Sequence, residues 1–449
     1  MHWTCSSRML LIVGLASILT IPMIEAQQNR KTASINITSV PVPGMPGEGQ
    51  SPDQTIEIEG VQAGAFNPDY WRAGHLYLLP DVRRPMLAPK LAGVFRNIYA
   101  GYALEEPWGW RVFYSAWDGI DDPHDRIYEA STKDFLDFDN RHTVVEPGEF
   151  LHTSNVVVGK RPQGGYFMLA TAADELPGPF RSTNKPVFFT SKNGDSWNGD
   201  VVPYQAKAAD IIDVYGYPNY ARADLNGANV LDEGAGVARF YFSDWTHPGA
   251  VYWAEGPDEN HLQYGSAALE TIHAANDVQL FNVDGKPWYL MGLYKKGDVG
   301  LTASDSEHLW YTLSNDPHSF PEERLLLTTT APLDRFIFSV GFVRRGDRLL
   351  GVIYGAGDEA TDNHNQIFAT WLQKRVQLIA QKEYNDGNGA TCEAIGALGP
   401  DRQRFRLPDN KPFDGELRVF DDDGTTLLGS TSVHLEPGRV YRIEITPRP

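Results

Sequence analysis

Cysteine is almost missing from this chain. Only Cys5 and Cys392 occur in 449 residues, and Cys5 falls in a segment expected to be removed, so no disulfide framework can hold the fold. Cys392 reads as a small buried apolar residue. No helical period of any length stands out, which argues against a helical bundle or helical solenoid. Basic residues are in deficit: 39 Lys and Arg stand against 58 Asp and Glu, a net charge of −19. The acidic residues are scattered rather than gathered in one block, and their excess argues against nucleic acid as a partner, because phosphate binding needs the opposite sign. H-E-x-x-H, paired C-x-x-C and Gly-rich phosphate-loop motifs are all absent, and the histidines form no metal signature.

Long apolar runs are also scarce. One stretch, from Met9 to Ile24, follows Arg8 and leads to Ala26. It is short of the ~20 residues that span a bilayer, carries Pro22 near its end, and reads as a cleaved secretory signal over residues 1–26 rather than a membrane anchor. A secreted or periplasmic protein with no membrane span after cleavage is therefore expected. Residues 27–54, centred on VPVPGMPGEGQSPDQ, read as a flexible linker.

What the chain does have is turns and aromatics: 42 Gly, 30 Pro and 12% aromatic residues, a composition suited to many short strands joined by tight turns. One pattern recurs about five times between Arg96 and Arg375, in which a β-rich run, a Gly-containing turn and two further apolar runs close on a polar turn. Clear copies begin at Asn155 (NVVVGKRPQGGYFMLAT), Asn229 (NVLDEGAGVARFYFSDW) and Asp277 (DVQLFNVDGKPWYLMGL). The pattern predicts an all-β fold, a five-bladed β-propeller over residues 55–378. Strands alternating apolar and polar residues beyond it predict a small C-terminal β-sandwich over 379–449. The string FNPDYWRAGHLYLLPDVRRP is expected to cover one end of the propeller or to help close its first blade.

In a propeller the first strand of each copy lies nearest the axis, so residues at the starts of these strands converge on one end of the channel. By that argument a shared pocket is expected around Arg96 and Asn97; His152, Thr153 and Asn155; Asn226 and Asn229; Asn276 and Asp277; and Asp334 and Arg335. Nearly all are polar, although they precede strongly apolar strands.

The strings RVFYSAWDG…RIYEASTKDFLDF and LLGVIYGAGDEATDNHNQIFATWL resemble the five-bladed arabinanase, levansucrase and invertase superfamily of glycoside hydrolases, over roughly Arg96 to Leu372. The resemblance implies hydrolysis of a polysaccharide or oligosaccharide at the axial pocket and a C-terminal accessory sandwich. Members usually place an Asp at the start of an inner strand in an N-D-P or D-P-x-V context. Here the nearest match is Asn276-Asp277-Val278, without the Pro, and the second copy has Thr153-Ser154-Asn155 with no carboxylate. Glu255-Gly256-Pro257 has the letters of the family acid but falls on an outer turn. Ser191-Lys192-Asn193-Gly194-Asp195-Ser196-Trp197 looks like the structural Asp-box turn of sialidases.

Glycoside hydrolysis requires two carboxyl groups flanking the bond. Asp277 is the leading candidate, as base or nucleophile, with Asp334 and Glu149 as further carboxylates and His152 as acid or positioning group. Arg96 and Arg335 are candidates for gripping hydroxyl or acidic substituents through guanidinium donors, Asn155 for hydrogen bonding, and Tyr217, Trp117 and Trp245 for stacking on a sugar ring. No cofactor is required and no metal ligands are assigned, although the reading leaves room for a structural calcium ion. Two other functions stay open: a non-catalytic carbohydrate-binding or scaffold propeller, and a polysaccharide lyase using Tyr217, His152 and Arg335.

Overall fold

The computed structural model describes residues 33–40, 55–89, 98–118, 124–174, 183–199, 202–234, 236–295, 307–329, 332–358, 365–383, 389–408 and 411–447. The expected signal segment lies outside the described residues, as does most of the expected linker. The chain is nearly all-β, in keeping with a propeller-type fold; its one α-helix among the described residues, Pro68–Ala73, begins on an Asn67 cap whose Oδ1 accepts from the Asp69 N–H at 2.9 Å.

Five sheets, antiparallel except for the short parallel edge strands Tyr204–Gln205 on the first and Val214–Tyr215 on the third, follow one another along the chain, beginning with the strands Ile98–Glu106, His152–Lys160, Leu225–Gly234, His273–Val283 and Phe336–Arg345. Each starting strand lies at one end of its sheet, and the next two strands follow it in antiparallel succession. Apolar side chains fill the space between successive sheets. Phe113 and Ile127 of the first meet Val156 and Met168 of the second, Leu169 of the second meets Val230 and Phe240 of the third, and Tyr241 meets Val278 and Met291 of the fourth. Phe281 and Leu290 of the fourth meet Phe342 and Tyr354 of the fifth, and Ile353 and Ile367 of the fifth return to Ile98 and Val112 of the first.

Every inner strand carries a register shift near its start: Tyr99/Tyr102, Ser154/Val157, Asn226/Asn229, Ala275/Asp277 and Ile337/Ser339. Bulges of this kind bend a strand, increase its twist and re-aim its side chains. The inner strands approach backbone to backbone: a Cβ on Gly341 would stand 2.2 Å from the Gly101 carbonyl oxygen, and one on Gly227 equally close to that of Ala275.

Three boundaries differ from the sequence reading. Ser34–Val40, inside the expected linker, is a strand paired along its length with Val440–Thr446, because Ile35 finds a buried place beside Tyr441 and Ile443. Thr55–Glu59 belongs to the same sheet rather than to the first blade. Its Ile56 and Ile58 are fully buried, and its Glu57 lies between Arg402 and Arg404. The second accessory sheet begins at Val376 rather than 379, and Phe413–Phe420 and Leu427–Leu435 complete the shared core. Cys392 sits half-buried on this sheet rather than fully inside. The string around Leu78–Pro80 closes the fifth sheet and not the first, pairing with Thr370–Leu372.

Gly341→Ala is expected to destabilise the protein by about 1–3 kcal/mol or more, the range for overpacking, since the obstructing atom belongs to the backbone. Urea unfolding of the variant beside the wild type measures it.

Candidate functional site

The mouth where the inner strands begin, here the proximal mouth, gathers several of the expected residues. Asn155, held at φ 53° in its bulge, donates from Nδ2 to Asn226 Oδ1 and to Thr171 Oγ1 at 3.2 Å. Its backbone N–H is taken by Ser115 Oγ of the first sheet at 2.9 Å. Around it lie buried polar atoms without a hydrogen-bond partner among the described residues: Thr153 Oγ1, Asn229 Oδ1, Ser243 Oγ and Asn276 Oδ1. Such atoms are costly to bury unless water or a ligand satisfies them.

Asp277 stands on the inner strand of the fourth sheet, as expected, but its carboxyl is fully buried. It accepts from Gln279 Nε2 at 2.8 Å, Asn229 Nδ2 at 3.3 Å and the Phe342 backbone N–H at 2.7 Å, linking three sheets across the axis. Burial pushes its pKa up to about 7, against the opposing pull of these donors and of Arg344. In this arrangement the carboxyl reaches no ligand directly.

The other expected carboxylates are tethers. Asp334 is buried, pairs with Arg84 and accepts from the Tyr354 hydroxyl at 2.9 Å, clasping the chain that closes the fifth sheet rather than lining the axis. Glu149 is exposed and its Oε2 accepts the Ala208 N–H at 2.8 Å, fixing an outer loop. Glu255, on the third strand of its sheet, pairs with Arg239 at 2.6 Å and His318 at 2.9 Å. Arg335 lies on the surface beside Glu307 at 3.0 Å, and Arg96 lies outside the described residues.

The aromatics also separate. Tyr217 is buried within a cluster of Phe242, Tyr252 and Tyr264 and gives its hydroxyl to Asp244 at 2.9 Å. Trp117 is buried. Neither offers an exposed face to a sugar. Trp245 is partly exposed at the proximal mouth, where its backbone N–H bonds the Asp224 carbonyl at 2.8 Å. The Asp-box-like turn is structural as expected: Ser191 Oγ accepts the Gly194 N–H at 2.8 Å, and Trp197 is buried beside Phe113.

Two further carboxylates belong to the proximal mouth and were missed by motif. Asp125 precedes the third strand of the first sheet, accepts from the Tyr99 hydroxyl at 2.6 Å and bonds the Thr153 N–H through its carbonyl at 3.0 Å. Asp224 immediately precedes the inner strand of the third sheet and accepts from Asn184 Nδ2 at 2.8 Å and from its N–H at 3.0 Å. His152 stands between them in the second sheet, with Nε2 3.1 Å from Asn184 Oδ1. Behind Asp224 lies Asp244. Burial raises its pKa, but hydrogen bonds from Thr246, His247 and the Asp224 N–H outweigh that and hold it below the usual carboxylate range. The only sequence signal for Asp224 was its place directly before an inner strand.

At the opposite, distal mouth a cavity of about 590 Å³ opens among the ends of the inner strands, lined in part by Tyr102, Glu106, Glu233, Gln279 and Arg344. The sequence reading put no pocket there. Among the described residues no group of three or more His, Cys, Asp or Glu side chains gathers in a way that could hold a metal ion.

The chain is thus a nearly all-β succession of packed sheets, in keeping with a propeller-type fold. No known family model matches the chain, and no curated protein matches it. Among solved structures it is similar to the catalytic domain of a Coprinopsis cinerea GH62 α-L-arabinofuranosidase, at 13% identity over 66% of this chain and 97% of that one, with a TM-score of 0.45. It is also similar to a Bombyx mori GH32 β-fructofuranosidase, at 10% identity, 85% and 94% coverage and a TM-score of 0.46. A thermostable family-43 glycoside hydrolase aligns at 13% identity, 72% and 98% coverage and a TM-score of 0.44. A likeness of this depth assigns neither substrate nor catalytic residues.

Because Asp277 keeps its proton in the folded state to about pH 7 and loses it near 4 when unfolded, its contribution to stability is greatest below pH 4 and falls as pH rises through 7. The fall is on the order of 4 kcal/mol. Unfolding free energies at pH 4, 5.5 and 7 are expected to show this component in the wild type and to lack it in Asp277→Asn.

Proposed function

We propose that this chain is a secreted, glycosidase-like five-bladed propeller with an accessory β-sandwich, and that it hydrolyses a polysaccharide or oligosaccharide at the proximal mouth by carboxyl acid/base chemistry. The observation that carries the reading is the grouping at that mouth: His152 between Asp125 and the Asn184–Asp224 pair, above a floor of Asn155, Asn226 and Asn276. In this reading Asp125 and Asp224 supply the acid and the base, His152 and Asn184 position Asp224, and the floor carboxamides hydrogen-bond sugar hydroxyls. Trp245 offers the apolar face. Asp277 acts from below, as a buried group that fixes Asn229 and Gln279. No cofactor enters the chemistry, and a structural calcium ion is compatible with it.

A second reading has its own support. The three carboxylates first expected to act are all engaged structurally, Asp277 and Asp334 in holding strands together and Glu149 in fixing an outer loop. A carbohydrate-binding propeller without hydrolytic power would look the same at its floor.

Reducing-end release from a panel of plant, algal and microbial polysaccharides separates the two. Release that falls by about 10²–10⁴-fold in Asp224→Asn or Asp125→Asn, the usual range for a lost acid or base, with binding retained, supports hydrolysis. Binding without release by the wild type supports the second reading. Neither binding nor release would sink both.

Export has a separate check. N-terminal sequencing of protein recovered outside the cell is expected to begin at Gln27; a start at Met1 would refute cleavage.

A further inference from the structure

The outermost strand of a sheet presents a row of unpaired N–H and C=O groups unless something covers its far edge. In four of the five sheets the chain supplies that cover itself. Tyr204–Gln205 pairs with Asp139–Glu146 on the first sheet, Val214–Tyr215 with Leu262–Thr271 on the third, and Leu78–Pro80 with Gln366–Leu372 on the fifth. On the second, Ile211 bridges to Val187 of the outer strand Thr183–Ser191. The fourth sheet ends on Arg324–Thr328, which pairs with His308–Ser314 on one side and with no strand among the described residues on the other. A register shift between Leu325 and Leu327 bends this strand, so the open edge is short.

Beside the edge, between it and Leu78–Pro80 of the fifth sheet, lies a cavity of about 310 Å³. Leu76, Leu78, Leu325 and Leu327 give it apolar walls, and Arg84 stands among its few polar groups. Leu325 is nevertheless 55% exposed. Leu333, also exposed, lies in the turn Pro332–Asp334, whose Asp334 pairs with Arg84. A protruding leucine and a leucine-lined hollow thus sit side by side on one surface, which makes that surface complementary to a copy of itself.

Its charges are closed in pairs. Arg84 is held by Asp334, Arg335 by Glu307 at 3.0 Å, and Arg72, near the end of the helix that leads to the cavity, by Asp69. Arg324 and Glu322, both exposed, add one charge of each sign. The patch is therefore close to neutral on a chain whose net charge is −19. Two copies repel one another through a charge of that size, and a neutral apolar patch is where they can meet.

We infer that this chain forms a two-fold dimer in which the outer edges of the two fourth sheets pair as antiparallel strands. About an axis at Leu326, Leu325 of one copy stands opposite Leu327 of the other and Arg324 stands opposite Thr328, so no like charges face each other. Each Leu325 then covers the hollow of the second copy, and the open edge gains backbone partners, as in other strand additions. The inference holds whether or not the proximal mouth hydrolyses a sugar.

Sedimentation velocity of the mature protein over a rising concentration series tests it, and a reversible monomer–dimer equilibrium is expected. Leu325→Lys brings two like charges to the axis and is expected to weaken association about tenfold or more, with thermal melting unchanged because the side chain it replaces is exposed. Leu427→Lys, at an exposed leucine of the accessory sheet, is expected to associate like the wild type. The register is read by mixing Arg324→Cys protein with Thr328→Cys protein under oxidising conditions. Residues opposite one another in an antiparallel pair are within disulfide reach, so the mixture is expected to give linked dimers above the level that either variant gives alone. A monomer at every concentration would leave the edge to a different protein and overturn the inference. So would a dimer that Leu325→Lys does not weaken, or a mixture that links no more than its components.

Discussion

The structure depends on the close approach of inner strands from neighbouring sheets, where backbone meets backbone. At Gly341 against Gly101 and at Gly227 against Ala275 there is no room for a methyl group. Side chains that point to the axis must therefore be few, polar and bonded to one another. Asp277 carries the largest share of that task, since one carboxylate receives donors from the third, fourth and fifth sheets. A buried carboxyl in this position is costly when ionised, and its raised pKa expresses that cost. Its geometry also explains why a residue at the expected place for chemistry is engaged in holding the ring together.

The same convergence makes the two mouths different. Bulges near the strand starts turn carboxamides and hydroxyls inward at the proximal mouth, leaving buried acceptors for water or substrate. Toward the strand ends the sheets splay apart, and charged side chains bridge the widening gaps. Arg111 reaches Glu106, Glu129 and Asp195 between the first and second sheets, and Arg239 reaches Glu233 and Glu255 at the third. Burial raises the Glu129 pKa and the Arg111 charge opposes it, so these pairs are partly desolvated and more than surface decoration.

The repeat was legible in the sequence because each sheet must satisfy the same packing rule, a buried inner strand followed by hairpins of alternating burial. NVVVGKRPQGGYFMLAT and DVQLFNVDGKPWYLMGL show this without any knowledge of their neighbours. The accessory strands at Phe413 and Leu427 were legible for the same reason, with apolar residues at every second position. Ser34–Val40 was not, because a strand at the edge of its sheet borrows its partner from the other end of the chain, and SINITSV carries too few apolar residues to announce itself. Leu78–Pro80 was misplaced for a similar reason: three residues pair with Thr370–Leu372, and only the closed ring brings them together.

Local composition by itself determined that this protein is built of β-sheets, that it has no disulfide frame, and that polar residues begin its inner strands. Those properties follow from turn chemistry, strand period and cysteine count, which act over a few residues. Only the tertiary structure decided which polar residues meet. Asp277 and Phe342 are far apart in the chain, as are Asn155 and Asn226. Whether a carboxylate is a tether or faces an opening depends on the donors that distant strands bring to it, and no motif within one strand specifies them.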